Sequence, residues 1–124
     1  MEYRISPATV RITNLRLDVI IGCNEWERHR AQEVVINITI DFDAANALAS
    51  DALEATFDYR AIKKKIIASV KESSFNLLES LTAHVLGLIM ENPMAVRASV
   101  TIDKPKALRF ADSVSITLTA QRGQ

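Results

Sequence analysis

Apolar and polar residues alternate with a period of two in four stretches of the chain, a pattern typical of half-buried β-strands. The clearest stretch covers residues 34–42, in which Asn37, Thr39 and Asp41 lie between large apolar side chains. The same alternation predicts three further strands, over residues 9–19, 96–102 and 114–118.

The first of these strands changes phase part of the way along. Its apolar residues fall on even positions up to Ile12 and on odd positions from Leu15 onward. A β-bulge inserts one extra residue into a strand and shifts the alternation in this way. We therefore predict a bulge at Asn14, with the strand ending at residues 20–22.

Two segments between the strand pairs repeat their apolar residues with helical spacing. The first opens at Asp58, a favourable N-cap residue, and leaves the lysines at residues 63–65 in solvent. Its predicted buried face consists of Ile62, Ile66, Ile67 and Val70. The second helix is predicted to begin near Asn76 and to end at Glu91. The alanine-rich residues 43–56 before both helices predict a connection with a helical turn.

The element order is therefore β-β-α-α-β-β. Strands paired as hairpins, with two helices between the pairs, predict an α+β fold whose helices cover one face of an antiparallel sheet. The free edges of this sheet favour assembly of several copies, because exposed edges invite pairing between subunits. We predict a single domain over residues 1–124, with residues 1–7 as a leader and 122–124 as a tail.

Composition excludes several classes of protein. The 124 residues suit one ordinary core, and 15 basic residues balance 15 acidic ones. Zero net charge argues against a dedicated nucleic-acid or anionic-membrane surface, and no apolar run approaches the roughly 20 residues that cross a bilayer. The single cysteine, Cys23, allows no internal disulfide and fits a reducing compartment. We expect a soluble, cytoplasmic protein with no nucleic-acid or membrane partner.

Lys104 is the first candidate for chemistry. It lies where the third strand is predicted to stop, and Pro105 behind it cannot continue a central strand. The alternation directs Lys104 toward the core face. A lysine in this position is either a solvated edge charge or a positioned acid/base. Spacing alone favours the edge charge.

Two further side chains, Glu79 and Tyr59, have two interpretations each, and Glu27 has one. Glu79 follows Asn76 by three residues, which predicts a capping box, although a carboxylate here could also accept hydrogen bonds from an amidine-like N–H pair of a heterocycle. Tyr59 is either an interface or core aromatic or a phenol that relays a proton. Glu27 lies in the charged residues 23–32, which predict an exposed loop, so it is expected at the surface.

The sequence shows no metal or phosphate-loop motif. His29, His84 and Cys23 lack the spacing of metal ligands, and Gly22 and Gly87 form no phosphate loop. We predict no metal and no cofactor. Scattered cations are usually solvated, but an anionic substrate would need some of them. The cations to consider are Arg28, Arg30, Arg60, Lys106 and Arg109.

Four motifs together resemble the dihydroneopterin aldolase family. In chain order they are Ile21-Gly22 with Glu27 five residues later, Phe57-Asp58-Tyr59, Leu77-Leu78-Glu79, and Ile102-Asp103-Lys104-Pro105 followed by Ala111-Asp112-Ser113-Val114. The resemblance covers about residues 9–120. It implies the tunnelling fold, in which four β-β-α-α-β-β subunits close a β-barrel and two such rings stack into a homo-octamer.

The resemblance also implies a pterin site between subunits. The glutamate matching Glu79 anchors the pterin amino group and ring N–H, and the backbone at Leu78 adds a contact. The backbone at Phe57 and Asp58 of a neighbouring subunit completes the contacts to the ring.

For the catalytic step, the resemblance implies that the lysine matching Lys104 is the general acid/base near pterin N5. Residues matching Tyr59 and Glu27 assist proton transfer. A triphosphate on the substrate would be received by Arg60, with help from Arg109 or Lys106.

Within the family, three stretches look more like the epimerase branch, which inverts C2′ of dihydroneopterin triphosphate. They are Asn14-Leu15-Arg16-Leu17, Asp58-Tyr59-Arg60 and residues 107–115. The aldolase branch, which releases 6-hydroxymethyl-7,8-dihydropterin and glycolaldehyde, is the alternative because both branches share one site. A non-catalytic pterin-binding module on the same scaffold is a third possibility.

Overall fold

The structure is a computed structural model that describes residues 2–123, so Met1 of the predicted leader and Gln124 of the predicted tail lie outside it. Its strands are β1 (Ala8–Val19), β2 (Gln32–Phe42), β3 (Ala95–Pro105) and β4 (Ser113–Gln121). Its helices are α1 (Ala45–Ser50), α2 (Tyr59–Lys71) and α3 (Leu78–Met90), with 3-10 turns at Glu25–His29 and Leu53–Ala55. The strands form one antiparallel sheet in the order β1-β2-β3-β4, which confirms the predicted α+β fold.

The predicted bulge in β1 is confirmed. Ile12 pairs with Ile38 and Leu15 pairs with Ile36, so two residues of β1 face a single residue of β2. Asn14 adopts a left-handed φ of 55°, and its N–H donates to Asn37 Oδ1 at 2.9 Å. The bulge keeps Ile12 and Leu15 on the same face of the sheet, toward the helices.

The core lies between this face of the sheet and helices α2 and α3. Alternate residues of β2, from Val34 to Phe42, are buried there, as the sequence predicts. The helices bury Ile62, Ile66, Val70, Leu81, Val85 and Ile89, while the lysines at residues 63–65 are exposed. Apolar burial of this extent is the main stabilising term of the fold.

The opposite face of the sheet is polar. Hydroxyl groups pair across it, with Thr101 Oγ1 at 2.6 Å from Thr117 Oγ1 and Thr119 Oγ1 at 3.1 Å from Ser99 Oγ. β1 and β4 are the outer strands, and each has one edge that no strand within residues 2–123 pairs with. These edges are the feature from which the sequence predicts assembly.

β3 extends beyond its predicted bounds at both ends. Pro105 still pairs with Ser113, because a proline is tolerated in the last pair, where its missing N–H interrupts no continuing ladder. A register shift at the other end places Ala95 in the core and leaves Val96 exposed, although Val96 is in phase with the apolar residues of the predicted strand. Arg122, in the predicted tail, is anchored here because its Nε donates to the Ala95 carbonyl at 3.0 Å.

Candidate active site

Glu27 is buried, so its predicted position at the surface is wrong. The charged segment forms the 3-10 turn Glu25–His29, which exposes Trp26 and turns Glu27 inward until 4% of the residue is accessible. Gly22 makes room for the carboxylate, since a Cβ there would lie 2.2 Å from Glu27 Cδ. The spacing of Gly22 and Glu27 was the only sign of this arrangement in the sequence.

The Glu27 carboxylate accepts three hydrogen bonds. Its Oε2 accepts from Lys104 Nζ at 2.5 Å and from Gln32 Nε2 at 3.0 Å, and its Oε1 accepts from the Asn24 N–H at 3.1 Å. Gln32 also donates to the Ile21 carbonyl at 2.8 Å. Gln32 was not predicted as a site residue. Its position in phase with the buried residues of β2 was a signal, because a polar side chain on the core face needs a buried hydrogen-bond partner.

The balance of these contacts decides the charge of Glu27. Burial alone raises the pKa of a carboxyl group, but hydrogen bonds from Lys104, Gln32 and the Asn24 N–H, with attraction to the Lys104 amine, outweigh it. The pKa of Glu27 is lowered from 4.5 to about 2. At neutral pH Glu27 is therefore an ionised acceptor, and it holds the Lys104 amine in one place.

Lys104 points toward the core face, as the alternation predicts. It pairs with Val114 inside the β3–β4 ladder, and 14% of its side chain is accessible. The solvated edge charge that spacing alone favours is therefore wrong. The deciding contact joins residues 77 positions apart, and local spacing contains no information about it.

Arg28 joins the loop containing Glu27 to the segment before α3. Its Nη1 donates to the Gly22 and Phe75 carbonyls at 3.0 Å each, and its Nη2 donates to the Ser74 carbonyl. The Gly22 N–H also donates to the Phe75 carbonyl at 3.3 Å. The sequence placed Arg28 among cations that are usually solvated, and it gave no sign of this contact.

Glu79 lies beside this junction, in the first turn of α3. The predicted capping box with Asn76 is wrong, because α3 begins at Leu78 with Leu77 as its N-cap and no side chain caps it. The Asn76 carbonyl instead accepts from Cys23 Sγ at 3.6 Å. Glu79 is exposed and Leu78 is buried. The Glu79 carboxylate is thus open to solvent at the end of the sheet where Glu27 and Lys104 lie.

Four other predicted site residues do not lie near Glu27, Lys104 and Glu79. They line a cavity of about 570 Å³ where α2 begins, and they are Phe57, Asp58, Tyr59 and Arg60. Tyr59 is 52% exposed. Asp58 is the predicted N-cap of α2, and its Oδ1 accepts from the Arg60 and Ala61 N–H groups at 3.1 Å each.

The two groups are far apart within one chain. Asp58 lines a cavity together with Leu88 and Glu91, at the C-terminal end of α3, whereas Glu79 lies in the first turn of that helix. At 1.5 Å per residue, Glu79 and Glu91 are separated by roughly 18 Å. Tyr59 and Arg60 also line a cavity against β1, while α3 packs on β3 and β4. The groups therefore lie on opposite sides of the chain.

The remaining predicted cations lie in the turn between β3 and β4. Lys106 has a left-handed φ of 63° and lines a cavity of about 370 Å³ with Trp26 and Gln32. Arg109 is exposed and places its guanidinium carbon 5.5 Å from the centre of the Phe110 ring. Both cations follow closely after Lys104 in the chain.

Within residues 2–123, no cluster of three or more His, Cys, Asp or Glu side chains is arranged to hold a metal ion. No helix in the described part of the chain is long and apolar enough to span a membrane. A buried carboxylate bound to a lysine amine, beside an exposed glutamate, suits an enzyme that transfers protons.

Comparison with known proteins identifies the class. The sequence profile of the dihydroneopterin aldolase family matches residues 10–119. The chain therefore belongs to the dihydroneopterin aldolase family.

Two relatives have a more specific name. The chain is 47% identical over 121 residues to dihydroneopterin triphosphate 2′-epimerase of Pseudomonas aeruginosa, covering 96% of this chain and 98% of that protein. It is 45% identical over 115 residues to the Escherichia coli K12 protein of the same name, covering 93% and 96%. The fold matches Escherichia coli dihydroneopterin aldolase in complex with neopterin with a TM-score of 0.85 at 25% identity, covering 94% of this chain and 99% of that one.

Proposed function

We propose that the protein is an epimerase that inverts C2′ of 7,8-dihydroneopterin triphosphate and so forms dihydromonapterin triphosphate. The observation that carries this proposal is the buried Glu27–Lys104 pair in a chain 47% identical to a named epimerase. The pair holds the Lys104 amine in one place, and the names of the relatives indicate the class of substrate.

The reaction needs a positioned base, an acid at N5 and a rigid anchor for the ring. Removal of the 2′-hydroxyl proton lets the C1′–C2′ bond break, and its electron pair enters the N5=C6 imine while N5 takes up a proton. The side-chain fragment leaves C1′ as an aldehyde. If the aldehyde stays bound, turns over and is attacked on its other face, the C1′–C2′ bond forms again with C2′ inverted.

The described geometry suggests how the residues divide this work. Glu79 is exposed at the open end of the sheet, where its carboxylate can accept both ring N–H donors, with the Leu78 backbone beside it. Lys104 is held within reach as the acid/base at N5. Glu27 is ionised at neutral pH, so it accepts hydrogen bonds and holds the Lys104 amine in place for the proton transfer.

Tyr59 completes this site from a neighbouring subunit. α2 packs on β1 at one outer edge of the sheet, and α3 packs on β3 and β4 at the other. When the β4 edge of one copy faces the β1 edge of the next, Tyr59 of one copy approaches the Lys104 side of the other. The backbone at Phe57 and Asp58 then contacts the pterin, and Arg60, with Arg109 or Lys106, receives the triphosphate. A closed ring of four copies, stacked in pairs, gives a homo-octamer.

The aldolase reaction is the second candidate, because the family profile and the similarity to an aldolase that binds neopterin both favour it. Release of the aldehyde after bond cleavage gives 6-hydroxymethyl-7,8-dihydropterin. Retention of the fragment therefore decides between the two reactions. The cytoplasmic location stays a prediction, supported by the free thiol of Cys23.

A product assay tests the function. The protein is incubated separately with dihydroneopterin and its triphosphate, and the monapterin isomer is separated from hydroxymethyl-dihydropterin by chromatography. We expect mostly the monapterin isomer from the triphosphate. Hydroxymethyl-dihydropterin as the main product of both substrates would favour the aldolase, and pterin binding without any turnover would favour the binding module.

Lys104→Ala tests the catalytic role. We expect turnover to be abolished with the oligomer intact, while Lys71→Ala, an exposed lysine in the last turn of α2, serves as the matched control. Undiminished activity of Lys104→Ala would remove Lys104 from the mechanism.

Mixed assemblies test the position of the site. Subunits with Lys104→Ala are co-expressed with subunits with Tyr59→Phe, each inactive alone. If the site spans two subunits, random assembly leaves about a quarter of the subunit interfaces with both native residues. Activity should then return to about a quarter of the wild-type value. No recovery in confirmed mixed oligomers would place both residues in one subunit's site.

A further inference from the structure

Arg28 bonds to three carbonyl groups on two separate segments. One is the Gly22 carbonyl, just before the 3-10 turn, and the others are the Ser74 and Phe75 carbonyls, just before α3. Arg28 is half-buried, so these charge-assisted hydrogen bonds are partly shielded from water.

Each segment holds one part of the site. Gly22 lies against the Glu27 carboxylate, which in turn holds Lys104. Phe75 precedes Glu79 by four residues, with the start of α3 between them. Arg28 therefore links the acid/base pair to the carboxylate proposed as the ring anchor. The only other polar contacts that join these segments within residues 2–123 are the bond from the Gly22 N–H and the long contact from Cys23.

A lysine could not replace this link. The guanidinium is planar and presents donors in fixed directions, so Nη1 and Nη2 reach carbonyls on both segments at once. A lysine ammonium is a compact charge on a flexible stem, and it would satisfy one segment while leaving the other loose. The helix start at Leu78 has no side-chain cap, which leaves Arg28 as the main polar restraint on residues 74–76.

We infer that Arg28 is a positioning residue for the reaction, which sets the distance between Lys104 and the Glu79 carboxylate. The inference rests on the proposed function, because it takes Glu79 as the pterin anchor. Arg28 does not touch the substrate. It fixes the spacing between two groups that must contact opposite parts of one rigid ring.

The experiment compares Arg28→Ala and Arg28→Lys with Arg97→Ala, using the full chain. Arg97 is the matched control because it is exposed and lies at the opposite end of β3 from Lys104, and its side chain forms no hydrogen bond or ion pair within the described part of the protein. For each variant, kcat, KM, the neopterin dissociation constant, the melting temperature and the oligomer size are measured. Activity is measured again with guanidinium ion, and with urea at the same non-denaturing concentration.

We expect Arg28→Ala to lower kcat/KM by about 10- to 100-fold, because displacement of a positioning group by about 1 Å has this effect. The neopterin dissociation constant and KM should rise in Arg28→Ala and Arg28→Lys but not in Arg97→Ala. Guanidinium ion, but not urea, should restore part of the activity of Arg28→Ala. If Arg28→Ala does not fold, the same shift in KM and dissociation constant is expected in Arg28→Lys.

A merely structural role gives a different result. It lowers the melting temperature and the fraction of active sites, while the remaining sites keep the native KM and dissociation constant. That outcome, or full activity in Arg28→Lys, overturns the inference. Failure of the proposed function can be told apart from failure of this inference, because the wild type would then turn over neither substrate. In that case the effect of the Arg28 variants on the neopterin dissociation constant alone would test the inference.

Discussion

The contact between Gly22 and Glu27 makes Gly22→Ala a sharp test of the site. A Cβ at this position would lie 2.2 Å from Glu27 Cδ, 2.2 Å from Oε1 and 2.3 Å from Oε2, far inside van der Waals contact. Gly22 also has a φ of +124°, which L-residues with a side chain rarely adopt. The substitution therefore causes backbone strain and expels the carboxylate from its place.

The structure separates the two costs. A non-glycine residue in such a backbone region costs about 1–3 kcal/mol. Expelling the carboxylate forfeits its three hydrogen bonds and the contact with Lys104. The drop in the Glu27 pKa from 4.5 to about 2 corresponds to about 3 kcal/mol of preference for the charged form in the folded state. We therefore expect Gly22→Ala to destabilise the protein by about 4–6 kcal/mol.

A double-mutant cycle measures the second cost alone. In a Glu27→Ala background the new methyl group meets no carboxylate, so Gly22→Ala should cost only the strain of about 1–3 kcal/mol. The coupling between the two changes is then about 3 kcal/mol. The assay is urea unfolding of the four proteins at one fixed concentration, because the stability of the proposed oligomer would depend on concentration.

The reasoning fails if Gly22→Ala costs the same in both backgrounds, since the carboxylate would then not occupy the space beside Gly22. Activity provides a second check. Gly22→Ala should lose most of its turnover at temperatures where it is still folded, because Lys104 loses its partner. Gly87→Ala is the matched control, since a Cβ at Gly87 meets nothing within 4 Å.

Three further predictions concern charge and capping. The lowered pKa of Glu27 contributes stability that is fully present above the unfolded pKa of 4.5 and is lost as the pH falls toward 2. The difference in unfolding free energy between wild type and Glu27→Gln, measured by urea unfolding, should therefore shrink by about 3 kcal/mol over that range. A constant difference would contradict the assigned charge. Arg60→Ala should raise KM for the triphosphate several-fold and leave KM for dihydroneopterin nearly unchanged, because a guanidinium pairs with phosphate oxygens. The measurement is steady-state kinetics with both substrates, and an equal change in the two KM values would show that Arg60 does not bind phosphate. Asp58→Ala removes the N-cap of α2 and should cost about 1 kcal/mol in urea unfolding, whereas Asp58→Asn, which keeps a capping oxygen, should cost less.

The fold was predictable because its signals are local. Alternation along each strand reports which face is buried, and the phase change between Ile12 and Leu15 reports the bulge without any knowledge of the partner strand. Asp58 as an N-cap is likewise set by the residues next to it. Each of these features depends on neighbours within a few positions.

The site was less predictable because its contacts are distant in the chain. Glu27 accepts a hydrogen bond from Lys104, which lies 77 residues later, and the spacing around either residue does not reveal the other. Helix α3 starts at Leu78 and not near Asn76 as predicted. Residues 74 and 75 bond to Arg28, a contact that the local sequence does not reveal. For Lys104, the resemblance favoured a positioned amine over the solvated edge charge that spacing alone suggested, and in the structure the amine is held by Glu27.

The register of the sheet also determines how copies of this chain can be joined covalently. β1 begins opposite the end of β2, and β4 ends opposite the start of β3, so the start of β1 and the end of β4 lie at the same end of the sheet but at its two outer edges. In the proposed assembly, where the β4 edge of one copy meets the β1 edge of the next, the two strands run antiparallel, and the end of β4 lies at the same end of the sheet as the start of the next copy's β1. A linker can therefore join successive copies in the way that a loop joins two antiparallel strands. The proposed ring can then be encoded as one tandem polypeptide, in which each subunit interface can be altered independently of the others.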